Sequence, residues 1–452
     1  MKPKFQSPKG MHDVLPEEQK YFYKIFRILK KILTFYNYQR IRTPILEETG
    51  LFSKGIGINT DVVEKEMYSF KTEGGDDLTL RPEGTAPAMR AYLENGMQSL
   101  PKPVKLWYFG PFFRHESPQF GRFRQFWQFG FESIGEEGPV RDAEITHLFY
   151  ILLQKFKLKD VIVEVNSIGD KNCRPEYKKL LKDYLKNRKR SLCADCRRRL
   201  KKNPLRVLDC KEEKCRRIIS QAPQIIDHLC QECHQHFKEY LEFLDELKIP
   251  YHLNPYLVRG LDYYTRTVFE VFSTAPVKKE EKEEKEEEEG KESDKEQEPE
   301  EDFSASSRLA LGGGGRYDDL VELLGGKPTP AVGAACGVER VIWLMKKQAL
   351  RFPQEKEPQV FLAQLGGLAK RKALKLMERF RRAGVPVLES LGRDSLRSQL
   401  SIADEADIKY TLILGHKEAL EDRITIRDME SGKQEEVDLK DVVKTIKKKL
   451  KK

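Results

Sequence analysis

VKLWYFGPFFRHESPQFGRFRQFWQFGFESI occupies residues 104–134 and carries the strongest structural signal in the chain. Its two aromatic-rich segments flank the polar stretch ESPQFGRF, a pattern that predicts an antiparallel pair of strands with an exposed tip. Arg114 lies where the first strand ends, and Arg122 and Arg124 frame the exit from the loop. Guanidinium groups offer planar forks that match phosphate oxygens, so these residues predict an anion site. The alternative is a surface strand with solvated charges, which the aromatic neighbours disfavour.

Two polar residues interrupt the second aromatic segment. Gln128 and Glu132 lie four residues apart, and with a period of two they share a face with Arg124 and Phe126. Polar side chains in so aromatic a run need hydrogen-bonding partners. We therefore expect the floor of a pocket on this face.

The stretch LTLRPEGTAPAMRAYLENG, at 78–96, predicts a strand that turns into a helix. Glu83 and Thr85 fall at this turn, a frequent place for site residues. The same residue types also cap helices, so a capping role is the alternative.

The stretch LVRGLDYYTRTVFEVF, at 257–272, places Arg259 before Tyr263 and Tyr264. An arginine beside paired tyrosines can hold an anion against an aromatic wall. The alternative is an arginine that pairs with a nearby carboxylate, with both tyrosines in the core.

A glycine-rich stretch begins at residue 312. Four consecutive glycines, 312–315, allow the backbone to approach a ligand closely, and Tyr317 follows them. Arg340 lies near the start of a predicted helix, from which it can reach a phosphate. The motif GxxxxGK[ST] is absent, which excludes a Walker-type phosphate loop.

The composition bounds the class of protein. The 452 residues are 39% hydrophobic and 34% charged, and no apolar run approaches the roughly 20 residues of a membrane span. The N-terminal residues have no apolar signal region, so we expect a cytoplasmic protein. Residues 278–302 hold 15 acidic residues and six lysines, a net charge of −9, which leaves +19 on the rest of a chain of +10. That excess favours a nucleic-acid partner, although ordinary solubility charge is the alternative.

The chain divides by pattern into three parts. A charged, proline-containing boundary precedes 358–452, where strands alternate with helices and predict a small α/β domain. Residues 170–252 are helix-rich and predict an inserted helical subdomain. The acidic stretch 278–302 has no side chain to bury and predicts a disordered loop between two antiparallel strands. The strand-rich core is then formed by residues 1–169 and 253–350.

Five short stretches together resemble histidyl-tRNA synthetase, a class II aminoacyl-tRNA synthetase. FRHE at 113–116 and GVER at 337–340 are similar to class II motifs 2 and 3. RTPILEETGLF at 42–52 is similar to motif 1, in which Pro44 has a dimer-forming role. RGLDYY at 259–264 and GGGGRYDDL at 312–320 match the two histidine-specific signatures.

The resemblance implies an α+β fold: an antiparallel sheet core with helices, the inserted helical subdomain, and an anticodon-binding α/β domain at 358–452. It implies a cytoplasmic homodimer that uses ATP and Mg²⁺ and acts on L-histidine and tRNA(His). The carboxylate of histidine attacks the α-phosphate of ATP to give histidyl-adenylate. The acyl group then passes to the 3′-hydroxyl of the terminal adenosine of the tRNA.

The resemblance also implies residue roles. Arg114 holds the α-phosphate, Arg340 the γ-phosphate, and Glu116 the adenine side of ATP. Arg259 stabilises charge at the α-phosphate, so Arg259 and Arg114 are the implied catalytic residues. Histidine is bound by Glu83, Thr85, Gln128, Glu132, Arg259, Tyr263, Tyr264 and Tyr317. The acceptor end of tRNA lies near Gln119, Arg122 and Arg124. No catalytic metal ligand is assigned.

The cysteines pose a separate question. Cys193-x2-Cys196 and Cys230-x2-Cys233 have zinc-ligand spacing, and they bracket Cys210 and Cys215. The 33 residues between the pairs exceed the usual separation, so small buried thiols are the alternative. A zinc ion here would stabilise the insertion and take no part in catalysis.

Two other functions are weighed against the synthetase. A regulatory paralogue, a subunit of an ATP phosphoribosyltransferase, is expected to lack the C-terminal domain and part of the arginine set. This chain keeps Arg114, Arg259, Arg340 and the residues after 358. A general RNA-binding protein explains the basic charge but does not require the pocket residues.

Overall fold

A computed structural model describes residues 4–58, 60–116, 121–274, 308–350 and 358–451. The chain forms two compact units, Met1–Arg351 and Phe352–Lys452. The predicted acidic loop at 278–302 and the candidate tRNA contact Gln119 lie outside the described residues.

The first unit is built on an eight-stranded sheet. The described strands of the whole first unit, which also has a second, smaller sheet, are β1 (Gln39–Arg40), β2 (Leu46–Glu48), β3 (Tyr68–Lys71), β4 (Asp77–Leu80), β5 (Val104–Phe113), β6 (Gln125–Ile134), β7 (Val161–Ser167), β8 (Tyr251–Leu253), β9 (Thr265–Ser273), β10 (Leu309–Arg316) and β11 (Ala331–Gly337). The large sheet has the order β1-β5-β6-β11-β10-β9-β7-β8, and β2-β4-β3 form a smaller one. The six central strands are antiparallel neighbours, whereas the outer strands β1 and β8 run parallel to β5 and β7. The predicted antiparallel core is confirmed.

Strands β5 and β6 form the predicted hairpin. Their register runs from Val104 opposite Ile134 to Phe113 opposite Gln125. Side chains alternate between the two faces of a strand, and aromatic residues of β6 lie on both faces of the sheet. The odd-numbered positions pack on helices, and the even-numbered positions are free to line a site.

Ten α-helices are described in the first unit: α1 (Pro16–Phe35), α2 (Thr49–Ile56), α3 (Thr85–Glu94), α4 (Pro139–Lys155), α5 (Arg174–Lys186), α6 (Ala194–Lys202), α7 (Glu213–Ile219), α8 (Gln231–Glu246), α9 (Leu320–Leu323) and α10 (Val338–Lys347). Within the described ranges, none of the helices has both the length and the apolar character that crossing a bilayer requires.

Helices α1 and α4 cover one face of the sheet. Phe22, in α1, packs edge-on against Trp127, with the two ring centroids 5.6 Å apart. Phe149, in α4, lies 6.5 Å from both Phe129 and Phe131. These contacts bury Phe129 and Phe131 and cover part of Trp127, because burying a large ring is strongly favourable. The opposite face is therefore left for the site.

The four helices α5–α8 form the predicted helical insertion. Tyr177, Leu181 and Leu185 recur at helical spacing in α5 and are fully buried. They belong to the same apolar core as Tyr263 and Tyr264. The inserted helices therefore support the segment that precedes β9.

The second unit contains β12 (Val360–Gln364), α11 (Gly367–Arg382), β13 (Leu388–Glu389), α12 (Leu396–Glu405), β14 (Tyr410–Leu414), α13 (His416–Leu420), β15 (Arg423–Asp428), β16 (Gln434–Asp438) and α14 (Val442–Lys449). Strand order is β13-β12-β14-β15-β16, parallel up to β14 and antiparallel beyond it. This is the α/β pattern that the sequence predicted, apart from the short helix α13. Its few residues, His416–Leu420, do not complete enough turns for the hydrophobic period to be recognised.

Candidate active site

Glu132 lies at the floor of the site, on the even-numbered face of β6. Its side chain is fully buried. Its carboxylate accepts hydrogen bonds from Thr85 Oγ1 at 2.9 Å, from the Tyr108 hydroxyl at 3.2 Å, and from the Tyr317 hydroxyl. Burial raises the pKa of Glu132 to about 8, although the hydroxyl donors lower it. The result is a carboxylate near its titration point at neutral pH, held by three donors.

Three glycines make room for this arrangement. A Cβ on Gly333, opposite Glu132 in β11, would lie 1.5 Å from Glu132 Oε2. A Cβ on Gly84 or Gly130 would lie 2.3 Å from the Tyr108 side chain. Side chains cannot occupy these positions without displacing the buried Glu132 and Tyr108.

Three tyrosines form an aromatic wall beside Glu132. The ring centroids of Tyr263 and Tyr264 are 4.6 Å apart, and Tyr317 lies 5.5 Å and 6.4 Å from them. All three are buried, and burial raises the pKa of each. They are therefore protonated at neutral pH, so Tyr317 can act as a donor to Glu132.

Glu83 caps the start of helix α3. Its carboxylate accepts the N–H of Thr85 at 2.7 Å and of Ala86 at 2.8 Å. Burial raises the pKa of Glu83, while these two backbone donors lower it. The capping role considered as an alternative is thus present for Glu83, and Thr85 orients Glu132 through its hydroxyl.

Arg259 lies against β9 and is paired with a carboxylate. Its Nη1 is 2.9 Å from Glu270 Oε1. Its Nε is buried without a hydrogen-bond partner among the described residues, and so is Gln128 Oε1. Burial lowers the pKa of Arg259, but the charges and hydrogen bonds of Glu270 and Tyr264 together outweigh it, and the net pKa is raised. One unpaired buried donor and one unpaired buried acceptor mark positions for a polar ligand.

Arg114 lies at the end of β5, over the ring of Phe126 at 5.6 Å. Its Nε donates to the carbonyl of Pro82 at 2.9 Å, next to Glu83. Glu116 lies 3.7 Å from Arg114 and 3.1 Å from Arg122. In this structure Glu116 therefore neutralises two of the arginines.

Arg340 projects from the first turn of α10. Nε donates to the carbonyl of Gly121 at 2.9 Å, and Nη1 to that of Ala310 at 2.6 Å. Burial, followed by the positive charge of Arg122, lowers the pKa of Arg340, and Arg114 acts in the same direction.

The three arginines surround one region. Besides Arg122 and Arg114, the charges that act on Arg340 include Glu270, the partner of Arg259. Contacts with strand β10 show the same proximity: Arg340 donates to the carbonyl of Ala310, and a Cβ on Gly313 would lie 3.1 Å from Nη1 of Arg259. Arg340 also donates to the carbonyl of Gly121, next to Arg122, which shares Glu116 with Arg114. Arg114 and Arg122 share the single carboxylate of Glu116, so positive charge remains in this region. Arg259 interacts with Tyr264 of the tyrosine wall. The arrangement suits an anionic nucleotide beside a small polar ligand.

Comparisons with known proteins cover the whole chain. The family model described as histidyl-tRNA synthetase matches residues 10–279, and one described as an anticodon binding domain matches residues 359–449. A histidine–tRNA ligase of Desulfitobacterium hafniense is 43% identical over 447 residues, which cover 99% of this chain and 98% of that protein. One of Dehalococcoides mccartyi is 41% identical over 446 residues, 99% of this chain and 100% of that protein.

The chain belongs to the histidyl-tRNA synthetase family. The apo Staphylococcus aureus histidyl-tRNA synthetase, a crystal structure, is 33% identical with a TM-score of 0.75, and the match covers 98% of this chain and 99% of that one. The family predicted from the motifs is confirmed, and with it the class of enzyme, an aminoacyl-tRNA ligase.

Most of the residues predicted for this synthetase come together, but not all in the expected way. Arg124 donates to the carbonyls of Glu116 at 3.3 Å and Lys9 at 3.4 Å, so it ties the N-terminal segment to the hairpin. The glycines 312–315 lie within strand β10, inside the sheet.

The sequence interpretation missed two residues of the candidate site, Tyr108 and Glu270. Tyr108 faces Gly130 across the hairpin, and alternation along β5 gives its face but not its partner. Glu270 pairs with Arg259, and only the stretch 257–272, which contains both, could have suggested it.

Proposed function

We propose that this chain ligates L-histidine to tRNA(His) in two ATP-dependent steps. A carboxylate oxygen of histidine attacks the α-phosphorus of ATP, the bond to the β-phosphate bridging oxygen breaks, and pyrophosphate leaves. The 3′-hydroxyl oxygen of the terminal adenosine then attacks the acyl carbon, AMP leaves, and the hydroxyl proton is lost. The observation that carries the proposal is the buried Glu132 with its hydroxyl donors, together with the arginines gathered around β10 and the tip of the hairpin.

The imidazole of histidine is proposed to bind at Glu132. A donor ring N–H favours the ionised form of Glu132 over the protonated form that burial otherwise favours. The ionised carboxylate is a strong acceptor for that N–H, and Tyr264 and Tyr317 flank it. A site built to bond a polar edge rejects analogues that lack that edge, because its own groups are then left unpaired. Tyr263 closes the wall on one side.

The amino and carboxylate ends of histidine are proposed to lie nearer β6 and α3. The unpaired Oε1 of Gln128 can accept from the α-ammonium group, and the unpaired Nε of Arg259 can donate to the carboxylate. Glu83 is already bonded to two N–H groups, so its contribution is its negative charge, and Thr85 acts by holding Glu132.

ATP is proposed to bind along the arginines. Arg114 and Arg259 would hold the α-phosphate and stabilise the charge that develops there, and Arg340 would hold the γ-phosphate. Glu116 would give up its ion pairs with Arg114 and Arg122 and contact the adenine side of ATP. Mg²⁺ would arrive with the phosphates, whose oxygens suit it as ligands.

The larger organisation is also part of the proposal. The core is assigned to 1–169 and 253–350, the insertion to 170–252, and anticodon binding to 358–452. The acceptor end of tRNA would lie near Arg122, Arg124 and Gln119. We place the protein in the cytoplasm.

A homodimer is proposed on the motif 1 resemblance. Ile45, Leu46 and Phe70, on or beside the small β2-β4-β3 sheet, are 44%, 38% and 46% exposed. An exposed apolar sheet edge is a common element of subunit interfaces. Light scattering of Leu46→Glu against the unmodified chain tests this: a monomeric variant supports the interface, and an unchanged dimer places it elsewhere.

Histidine-dependent exchange of pyrophosphate into ATP tests the function. We expect exchange with histidine alone among the amino acids, without added tRNA. Absence of exchange with pure, folded protein would favour the regulatory paralogue. Binding to unrelated RNAs as tight as to tRNA(His) would favour the general RNA-binding protein.

A further inference from the structure

Seven of the eight cysteines gather in two clusters that the catalytic site does not use. The four-thiol cluster consists of Cys193, Cys196, Cys210 and Cys215. The mixed-ligand cluster consists of Asp170, Cys173, Cys230 and Cys233. Within each, the candidate ligand atoms all lie within 4.8 Å of one another. The sequence interpretation grouped the two C-x2-C pairs with each other, whereas the structure assigns them to different clusters.

The four-thiol cluster has the spacing of metal ligands. A tetrahedral Zn²⁺ with Zn–S bonds of about 2.3 Å places its sulfurs about 3.8 Å apart. Cys193 Sγ and Cys210 Sγ are 3.8 Å apart. A disulfide requires about 2.05 Å, and all eight cysteines are free thiols here. The distance therefore fits a shared ion better than a covalent pair.

The backbone around the four-thiol cluster also fits a metal site. Cys193 caps helix α6 and Cys196 lies one turn inside it, so both sulfurs reach the same side. Cys193 Sγ accepts the N–H of Cys196 at 3.3 Å, and Cys215 Sγ accepts that of Cys193 at 3.3 Å. Such bonds stabilise thiolates. The long separation that argued against zinc disappears, because only 13 residues lie between Cys196 and Cys210.

The mixed-ligand cluster repeats this plan. Cys230 occupies the N-cap position of α8, with Cys233 one turn inside. Asp170-x2-Cys173 has the same spacing, with Cys173 at the N-cap position of α5. Asp170 accepts the N–H of Asn172 at 2.8 Å, which fixes its carboxylate. Gly169 has φ +64°, and a Cβ there would lie 2.5 Å from Cys173 Sγ. The turn is thus shaped around the sulfur.

We propose that this part of the chain binds two structural Zn²⁺ ions, one in each cluster. Four sulfur ligands, or three sulfurs and one carboxylate oxygen, match the ligand sets that Zn²⁺ takes in closed tetrahedral sites. A closed site leaves no open position for a substrate, so the ions are structural. Buried neutral thiols without metal are the competing interpretation.

The ion in the four-thiol cluster would stabilise a bridge to the active site. Arg206, between its two cysteine pairs, lies 2.6 Å from Asp61 and donates to the carbonyl of Arg259 at 3.4 Å. Asn203 donates to Asp262 at 2.9 Å. Fixing both ends of this segment holds the loop that carries Arg259 in place.

Metal analysis of the full-length chain, purified without chelator or metal-affinity resin, tests the proposal. We expect about two zinc ions per chain, about one in Cys215→Ser and about one in Cys233→Ser. The matched control is Cys336→Ser, a buried cysteine of β11 outside both clusters, which should keep both ions. Less than about a tenth of an equivalent in the unmodified chain overturns the proposal. A single ion overturns the cluster whose serine variant loses nothing.

Two measurements on the unmodified chain do not depend on the folding of variants. After removal of zinc in unfolding conditions, thiol titration should find eight free thiols, and fewer would indicate disulfides and refute the metal sites. Stripping zinc from the folded protein should lower its unfolding temperature, and adding Zn²⁺ back should restore it. An unfolding temperature that is unchanged after complete removal would overturn the structural role.

Discussion

Replacing Glu132 with glutamine probes the histidine pocket with minimal change of volume. In the unmodified chain, the carboxylate of Glu132 accepts hydrogen bonds from Thr85, Tyr108 and Tyr317. Glutamine offers one oxygen in place of two and turns an NH₂ group towards at least one of these hydroxyl groups. It also loses the charged acceptor that an imidazole N–H would use.

The expected loss follows from that one bond. A hydrogen bond to a charged group contributes about 1.5–3 kcal/mol, and about 1.4 kcal/mol is a factor of ten. The KM for histidine in Glu132→Gln should therefore rise about ten- to 150-fold, while the KM for ATP changes less than about threefold. Pyrophosphate exchange at varied histidine and ATP measures both. Glu164→Gln is the matched control, because the carboxylate of Glu164 also accepts from side chains, those of Asn254 and Arg308, but lies in β7.

The pKa of Glu132 adds a second readout. Burial raises it to about 8, so the folded chain retains a proton that the unfolded chain, with a pKa of about 4.3, has lost. Stability should therefore fall as pH rises through this interval, and less steeply in Glu132→Gln. An unchanged KM for histidine in the variant, or equal rises in both KM values, would refute the role of Glu132.

Three further changes test other parts of the account. Arg259→Ala should slow adenylate formation on the order of 10²–10³-fold in pyrophosphate exchange with an unchanged circular dichroism spectrum, and near-normal exchange would remove Arg259 from the mechanism. Gly333→Ala should lower the free energy of unfolding by about 1–3 kcal/mol in urea, because its Cβ would meet Glu132 at 1.5 Å. Gly74→Ala, in a turn and with its nearest neighbour at 3.7 Å, should be close to neutral. Equal stabilities of the two would contradict the packing around Glu132. Deleting 358–452 should raise the KM for tRNA far more than that for histidine or ATP, and comparable rises would argue against a separate anticodon-binding unit.

Regular patterns made much of the fold predictable from the sequence. The aromatic alternation of 104–134 indicated the hairpin, because each face of β6 is marked by its own residue types. The strand-helix alternation after residue 358 indicated the second unit for the same reason. The local motifs also placed Arg114, Arg259 and Arg340 in one family pattern.

Pairings between distant segments could not be predicted in the same way. Tyr108 and Thr85 meet Glu132 only through sheet register and the α3 turn. From the sequence, Glu83 could either cap helix α3 or bind a ligand. Only the positions of the N–H groups of Thr85 and Ala86 show that it caps the helix. Short motifs fix neighbours within one turn, whereas packing decides which motifs come together.

The same limit applies to the cysteines. Spacing correctly identified each C-x2-C pair as a unit, and both units lie at a helix start. It could not show that Cys210 and Cys215, and not Cys230 and Cys233, complete the cluster of Cys193 and Cys196.

Aminoacylation of total tRNA with each of the twenty amino acids tests the central claim most directly. The account predicts that histidine alone is esterified, that the acceptor is tRNA(His), and that the ester forms at the 3′-hydroxyl of the terminal adenosine. Charging by another amino acid, or no charging by protein that is folded and binds ATP, would contradict it.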